Sequence, residues 1–83
     1  MAEPTAAQKD FLDQMTRKLL VDWCAESLMA DFGPAAVSVS YMPYLEYAIS
    51  KKWVSKDPVV KGENREVKIL SVGWDTASRF LKR

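Results

Sequence analysis

A long segment without glycine or proline is the strongest constraint on how this chain folds. Residues 6–32 contain neither residue and are rich in alanine, leucine, methionine, lysine, glutamate and glutamine, which all favour helix. Thr5 stands where a helix cap is expected, and Gly33-Pro34 gives a firm stop. The pattern predicts helix over 6–32, preceded by a disordered tail at residues 1–5.

The apolar residues of this segment form two stripes that point in different directions. The first comprises Phe11 or Leu12, Met15, Leu19 and Trp23, and the second comprises Val21, Cys24, Leu28 and Phe32. A single helix of this length would span roughly 40 Å, which is long for a small domain. Two interpretations stay open. Either the helix breaks near Asp22 and each half buries its own stripe, or one long helix buries one stripe in its own core and the other in a homodimer interface.

The middle of the chain predicts a short helix and a two-stranded ribbon. AAVSVS, after Gly33-Pro34, indicates a brief edge strand or an extended linker, and Ser40 is the expected cap of a helix over about 41–52 with Pro43 in its first turn. One face of that helix is a core face, and the other carries Tyr44, Tyr47 and Lys51. Strands are then expected to begin at Trp53-Val54 and to include Val67 and Ile69, joined by a polar loop at 57–66.

A last helix is predicted from Ser71, its expected cap, to the end of the chain. Trp74, Ala77, Phe80 and Leu81 give it an apolar face, and Arg79, Lys82 and Arg83 give it a basic one. Gly73 lies in the first turn, where a small residue is expected to let the chain turn tightly before Trp74 anchors the helix.

The stretches YLEYAISKKWV and REVKILSVGWDTASRFL resemble the C-terminal part of winged-helix proteins such as MarR-type and PadR-type repressors. In those proteins a helix ends in LxxKGWI/LV, a two-stranded wing follows, and a strand enters an LTxxGxxxxxxxL helix. The matching residues here are Leu45, Ile49, Lys52 and Trp53-Val54 for the first pattern, and Leu70, Ser71, Gly73 and Leu81 for the second. The chain departs from the family in lacking the glycine that stands between the lysine and the aromatic residue, and at AAVSVS, where the family has a short helix.

The resemblance implies a single α+β winged-helix domain over residues 1–83, with the helix at 41–52 as recognition helix and 57–66 as wing. Its candidate nucleic-acid-binding residues are Tyr44, Tyr47, Lys51, Lys56, Lys61 and Arg65. The recognition helix has no arginine, asparagine or glutamine to read base edges, and it carries Glu46. Any DNA binding is therefore expected to have low sequence specificity.

Charge is distributed unevenly along the chain. Residues 1–50 hold three basic and seven acidic side chains, a balance of −4, whereas residues 51–83 hold nine basic and four acidic ones, a balance of +5, which together give the net +1. A basic C-terminal half can attract phosphate, although a solvated surface in a short chain explains the same count.

Composition excludes several kinds of site. The chain has no histidine and one cysteine, Cys24, so a zinc site of the usual kinds, a disulfide and a histidine-based catalytic triad cannot be built within it. Its acidic pairs stand at helical spacing, and no phosphate-binding or nucleophile motif occurs. We therefore expect no enzymatic activity and no cofactor. The start lacks a signal-peptide pattern and no long apolar run is present, so a cytoplasmic protein with no membrane partner is expected.

Two functions are compatible with the sequence. One is a DNA-binding or transcription-regulatory winged-helix module, with duplex DNA as partner. The other is a protein–protein adaptor or inhibitor of the small kind found in phage and mobile elements, with the aromatic face and the second apolar stripe as contact surfaces. The dimer candidates are Val21, Cys24, Leu28 and Phe32.

Overall fold

The computed structural model describes residues 5–82. It is a small α+β fold of three α-helices and a three-stranded antiparallel sheet, with element bounds α1 Ala6–Met29, β1 Ala35–Ser38, α2 Met42–Ser50, β2 Val59–Lys61, β3 Asn64–Val67 and α3 Ser71–Leu81. A 3-10 turn at Val39–Tyr41 links β1 to α2. The predicted tail at 1–5 lies outside the described residues except for Thr5, and so does the basic Arg83 at the other end.

The first helix is unbroken, so of the two interpretations that the sequence left open, the break near Asp22 is excluded. Its 24 residues span about 36 Å at 1.5 Å per residue, close to the longest dimension of the molecule, 39 Å. Thr5 caps it as predicted, since its hydroxyl accepts from the backbone N–H of Gln8 while the Gln8 side chain accepts from the N–H of Thr5. A helix of this length therefore fits within one chain.

The core face of α1 lies between the two predicted stripes. Its buried residues are Thr16, Leu20, Trp23, Cys24 and Ser27, whereas Phe11 of the first predicted stripe is 60% exposed. Two of the buried residues carry hydroxyls, and both are satisfied: Thr16 donates to the carbonyl of Leu12, and Ser27 donates to the carbonyl of Gly33. The spacing of apolar residues in the sequence cannot identify buried positions that hold a threonine or a serine.

The helix ends earlier than predicted, at Met29 rather than at Gly33-Pro34. Asp31 and Phe32 adopt left-handed backbone conformations, with φ of 53° and 61°. The N–H of Phe32 donates to the carbonyl of Ser27 at 2.6 Å, which closes the last turn in the way a left-handed residue after a helix usually does. Phe32 is therefore outside α1.

The sheet has the order β1-β3-β2, so β1 is an edge strand as predicted. Ala35 and Val37 face the core in an alternating pattern. The side chain of Glu26 on α1 accepts from the backbone N–H of Ala36 at 3.0 Å. This bond covers part of the open edge of β1, which protects it from pairing with another chain.

The polar loop predicted at 57–66 is largely strand. Val59–Lys61 pairs with Asn64–Val67 around a two-residue turn, Gly62-Glu63, in which Gly62 has a φ of +63°. The strand predicted to begin at Trp53-Val54 is reduced to one bridge between Val54 and Ile69. The alternation of Val67 and Ile69 as buried residues is confirmed.

Two predicted helix caps are wrong. Ser38 rather than Ser40 accepts a capping bond, and it caps the 3-10 turn, while α2 begins after Tyr41. Leu70, not Ser71, precedes α3. No side chain caps the N-terminus of α2 or of α3. Pro43 does lie in the first turn of α2 as predicted. Packing of the apolar faces on the core therefore holds α2 and α3 in place.

The core is one cluster that all layers of the fold share. Its fully buried large side chains are Leu20, Leu45, Val37, Val54, Val67 and Thr16. Gly73 of α3 packs against the backbone carbonyl of Trp53, so its role is close approach rather than the predicted tight turn. Across residues 5–82, no helix has the length and apolar character needed to cross a membrane.

Candidate interaction sites

The aromatic face predicted on α2 lies against α1. The Tyr47 hydroxyl donates to Oδ1 of Asp13 at 2.7 Å, and the Tyr47 ring meets Trp53 edge-on with centroids 5.7 Å apart. The Nζ of Lys51 lies 5.5 Å from the centre of the Tyr47 ring, and Tyr44 packs against the core. Tyr47 therefore joins α2 to α1, and its hydroxyl already has a partner.

Asp13 is the centre of this contact between α1 and α2. Its other oxygen, Oδ2, accepts from Nε of Arg17 at 2.8 Å, and the Arg17 guanidinium lies 5.2 Å from the Trp53 ring centre. Burial alone would raise the pKa of Asp13, but the hydrogen bonds from Arg17 and Tyr47 outweigh burial and lower it. Burial, together with the bond to Asp13, raises the pKa of Tyr47 to about 12.

The outward face of α2 carries no cation. Its exposed residues are Pro43, Glu46 and Ser50, spaced by about one turn. A carboxylate at the centre of this face would repel phosphate. As a result, the outward face of α2 offers a duplex no positive charge and no arginine, asparagine or glutamine.

The basic residues of the hairpin do not share one face. Arg65 pairs with Val37 and Val60 across the sheet and is half-buried, with its Nη1 donating to the carbonyl of Asn64 at 3.2 Å. Lys61 pairs with Asn64, the neighbour of Arg65 along the strand, so it lies on the other face of the sheet. Lys51, Lys56 and Lys61 are exposed.

An apolar concave surface lies between α1 and α3. This groove has a volume of about 280 Å³ and is lined by Val21, Cys24, Ala25, Leu28, Trp74, Ala77, Ser78 and Leu81. Three of the four predicted dimer residues line it, and the fourth, Phe32, meets Trp74 edge-on at 5.7 Å between ring centroids. Packing within the chain already buries Cys24 to 6% exposure, and burial raises the pKa of its thiol to about 11. Cys24 is an inert part of the groove floor.

Large apolar side chains remain exposed around the groove. Leu28 and Leu81 line it and are 51% and 67% exposed, Phe32 against Trp74 is 70% exposed, and Met29, which directly follows Leu28 in the chain, is 85% exposed. The sequence pattern identified the α1 side of this surface, but it missed Ala25, Met29 and the α3 side. The apolar face predicted on α3 was the available signal, although sequence alone could not set α3 beside this stripe of α1.

Comparisons of the chain with protein-family models, curated proteins and solved structures found no match. In the part of the chain that the structure describes, no cluster of three or more acidic or cysteine side chains could hold a metal ion. The residues of the chain itself are thus the basis for any functional argument.

Proposed function

We propose that this chain is a protein-interaction module that binds its partner through the groove between α1 and α3. The observation that carries the proposal is a group of exposed large apolar side chains at one apolar groove: Leu28 and Leu81 line it, Phe32 contacts its lining residue Trp74, and Met29 directly follows Leu28 in the chain. Single exposed apolar residues are ordinary on a protein surface. A group of them around one concave surface marks a contact site.

The backbone at the end of α1 supports the same proposal. Phe32 is a bulky residue in a left-handed conformation, with a φ of 61°, and Asp31 before it has a φ of 53°. Such a conformation is unusual for an aromatic residue and costs about 1 kcal/mol or more. Here it holds a 70% exposed phenyl ring against Trp74 at the mouth of the groove. A fixed, exposed aromatic side chain is suited to anchor a contact.

The shape of the groove suits an apolar helix face. The end of α1 lies at the start of α3, because Phe32 contacts Trp74, while Val21 and Leu81 both line the groove further along. The two helices thus run antiparallel and leave a furrow between them. Ridges of side chains on the helices of a partner pack against such a surface.

Protection of Met29 tests this proposal. Met29 is 85% exposed in the isolated chain, so its thioether should be oxidised rapidly by a mild oxidant. In living cells, a partner on the groove should slow that oxidation severalfold. An equal rate in cells and in dilute purified protein would contradict the proposal.

A second candidate function is binding of duplex DNA by a winged-helix-like domain, with a regulatory role. It is supported by the order of helix, strand, helix, hairpin and helix, and by the exposed Lys51, Lys56 and Lys61. Three lysine–phosphate contacts would make the duplex affinity fall roughly 40-fold between about 50 and about 200 mM salt. Replacing Lys51, Lys56 and Lys61 with glutamate should abolish this binding. No binding at the lower salt would exclude the candidate.

A further inference from the structure

The groove carries opposite charges at its two ends. At the end where Phe32 meets Trp74, the exposed residues Asp31 and Asp75 are the immediate chain neighbours of those two rings. This end is acidic. Any partner that lies along the groove must bring positive charge here to avoid repulsion.

The other end of the groove is basic. Leu81 lines the groove there, and the exposed Lys82 follows it directly. Asp75, Ser78 and Lys82 are spaced by three and four residues, so they form one stripe along the α3 side of the groove. The stripe thus runs from a negative charge at the Trp74 end to a positive charge at the Leu81 end.

Other charges near the groove do not reverse this polarity. Lys18 and Asp22 on α1 are exposed and one turn apart, so their opposite charges largely cancel. Arg79 contacts Asp75 at 3.1 Å, but the side chains are 79% and 60% exposed. An ion pair with that exposure is weak and leaves Asp75 available to a partner.

We propose that the occupant of the groove is a second copy of this chain, bound about a two-fold axis. This axis crosses the middle of the groove at right angles to its length, so the groove of the second copy runs in the opposite direction. The acidic end of each copy then faces the basic end of the other, while the apolar residues at the centre face their own equivalents. The groove is therefore complementary to itself in both charge and apolar character. This inference rests on the proposed function and names the partner.

Sedimentation equilibrium of the full chain at low salt and about 100 µM tests the self-association. We expect a mass of twice the 9.4 kDa of the chain. The matched variant Leu81→Lys changes a groove-lining residue that is 67% exposed, so it should fold normally and sediment as a monomer. A monomeric wild-type chain would overturn the inference.

Charge reversal tests the two-fold arrangement. Asp75→Lys alone and Lys82→Glu alone each place like charges against each other twice per dimer, and we expect each to weaken the dimer about tenfold. The double variant Asp75→Lys, Lys82→Glu reverses the polarity in both copies and should restore the affinity. A double variant as weak as the two single changes combined would overturn the inference.

The two proposals fail in distinguishable ways. A monomeric purified chain whose Met29 is nevertheless protected in cells has another protein on the groove, which overturns self-association and supports the proposed function. A monomeric chain with unprotected Met29 contradicts both proposals.

Discussion

Replacing Gly73 with alanine should strongly destabilise the protein. A Cβ atom at this position would overlap the carbonyl oxygen of Trp53 and lie 2.9 Å from its carbonyl carbon and 3.0 Å from Cγ2 of Ile69. The Trp53 carbonyl cannot move away easily, because it accepts from the N–H of Leu70 at 2.9 Å. We expect the free energy of unfolding to fall by about 3 kcal/mol or more, a large part of the stability of a small domain.

Denaturation by urea measures the change in the free energy of unfolding, and the sign of that change distinguishes two expectations. Helix propensity alone predicts that alanine stabilises a helix by up to about 1 kcal/mol relative to glycine. The close approach of α3 to Trp53 predicts the opposite. A Gly73→Ala variant as stable as the wild type would show that α3 does not pack as described.

Gly62→Ala is the matched control. Gly62 has a φ of +63° and nothing within 4 Å of an added Cβ, so alanine there meets backbone strain but no clash. We expect a loss of about 1 kcal/mol for this variant. A much larger loss for Gly73→Ala than for Gly62→Ala is the result that the Trp53 contact predicts.

Replacing Asp13 with alanine should have the second largest effect on stability. This change removes both the bond from the Tyr47 hydroxyl and the bond from Nε of Arg17. Because the pair is only partly buried and water can replace part of the interaction, we expect a loss of about 2–3 kcal/mol in the free energy of unfolding. Tyr47→Phe removes only one bond and should cost about 1 kcal/mol.

A double-mutant cycle shows whether these two residues act on each other. The effect of combining Asp13→Ala with Tyr47→Phe should be smaller than the sum of the single effects by about 1 kcal/mol. Additive effects would mean that the two side chains do not share a bond in solution.

The Asp13 contact also predicts how stability depends on pH. The pKa of Asp13 is lowered in the fold, so its contribution is present above the ordinary pKa of 3.8 and is lost as the pH falls through the folded-state value. The pKa of Tyr47 is raised from 10.0 to about 12, so its contribution is present below pH 10 and is lost as the pH rises towards 12. Asp13→Ala should make the free energy of unfolding depend less on pH in acid, and Tyr47→Phe should do the same in alkali.

Features with a local cause could be predicted from the sequence. Thr5 and Gln8 form the capping box, Pro43 occupies the first turn of α2, and Val67 and Ile69 alternate into the core. Each depends on neighbours within a few residues, where propensity and periodicity act directly.

Features that depend on distant partners could not be predicted. Asp13 and Tyr47 are 34 residues apart in the chain, and no local pattern shows that they bond. Thr16 and Ser27 lie on the buried face of α1 because their hydroxyls have carbonyl partners, which an apolar count ignores. The groove is a similar case, since its α1 side follows from periodicity but its α3 side depends on how the two helices pack.

A protein partner that covers the groove should protect Met29 from oxidation, and the ratio of oxidation at Met29 to oxidation at Met42 measures this protection. Met29 is 85% exposed, whereas Met42 is half-buried against the core and serves as an internal standard for the oxidant dose. Mass spectrometry of the chain oxidised in cells and in dilute solution gives the ratio in both states. We predict a ratio severalfold lower in cells, with no change at Met42. The same ratio in cells and in dilute solution would contradict the proposal that a protein partner covers the groove.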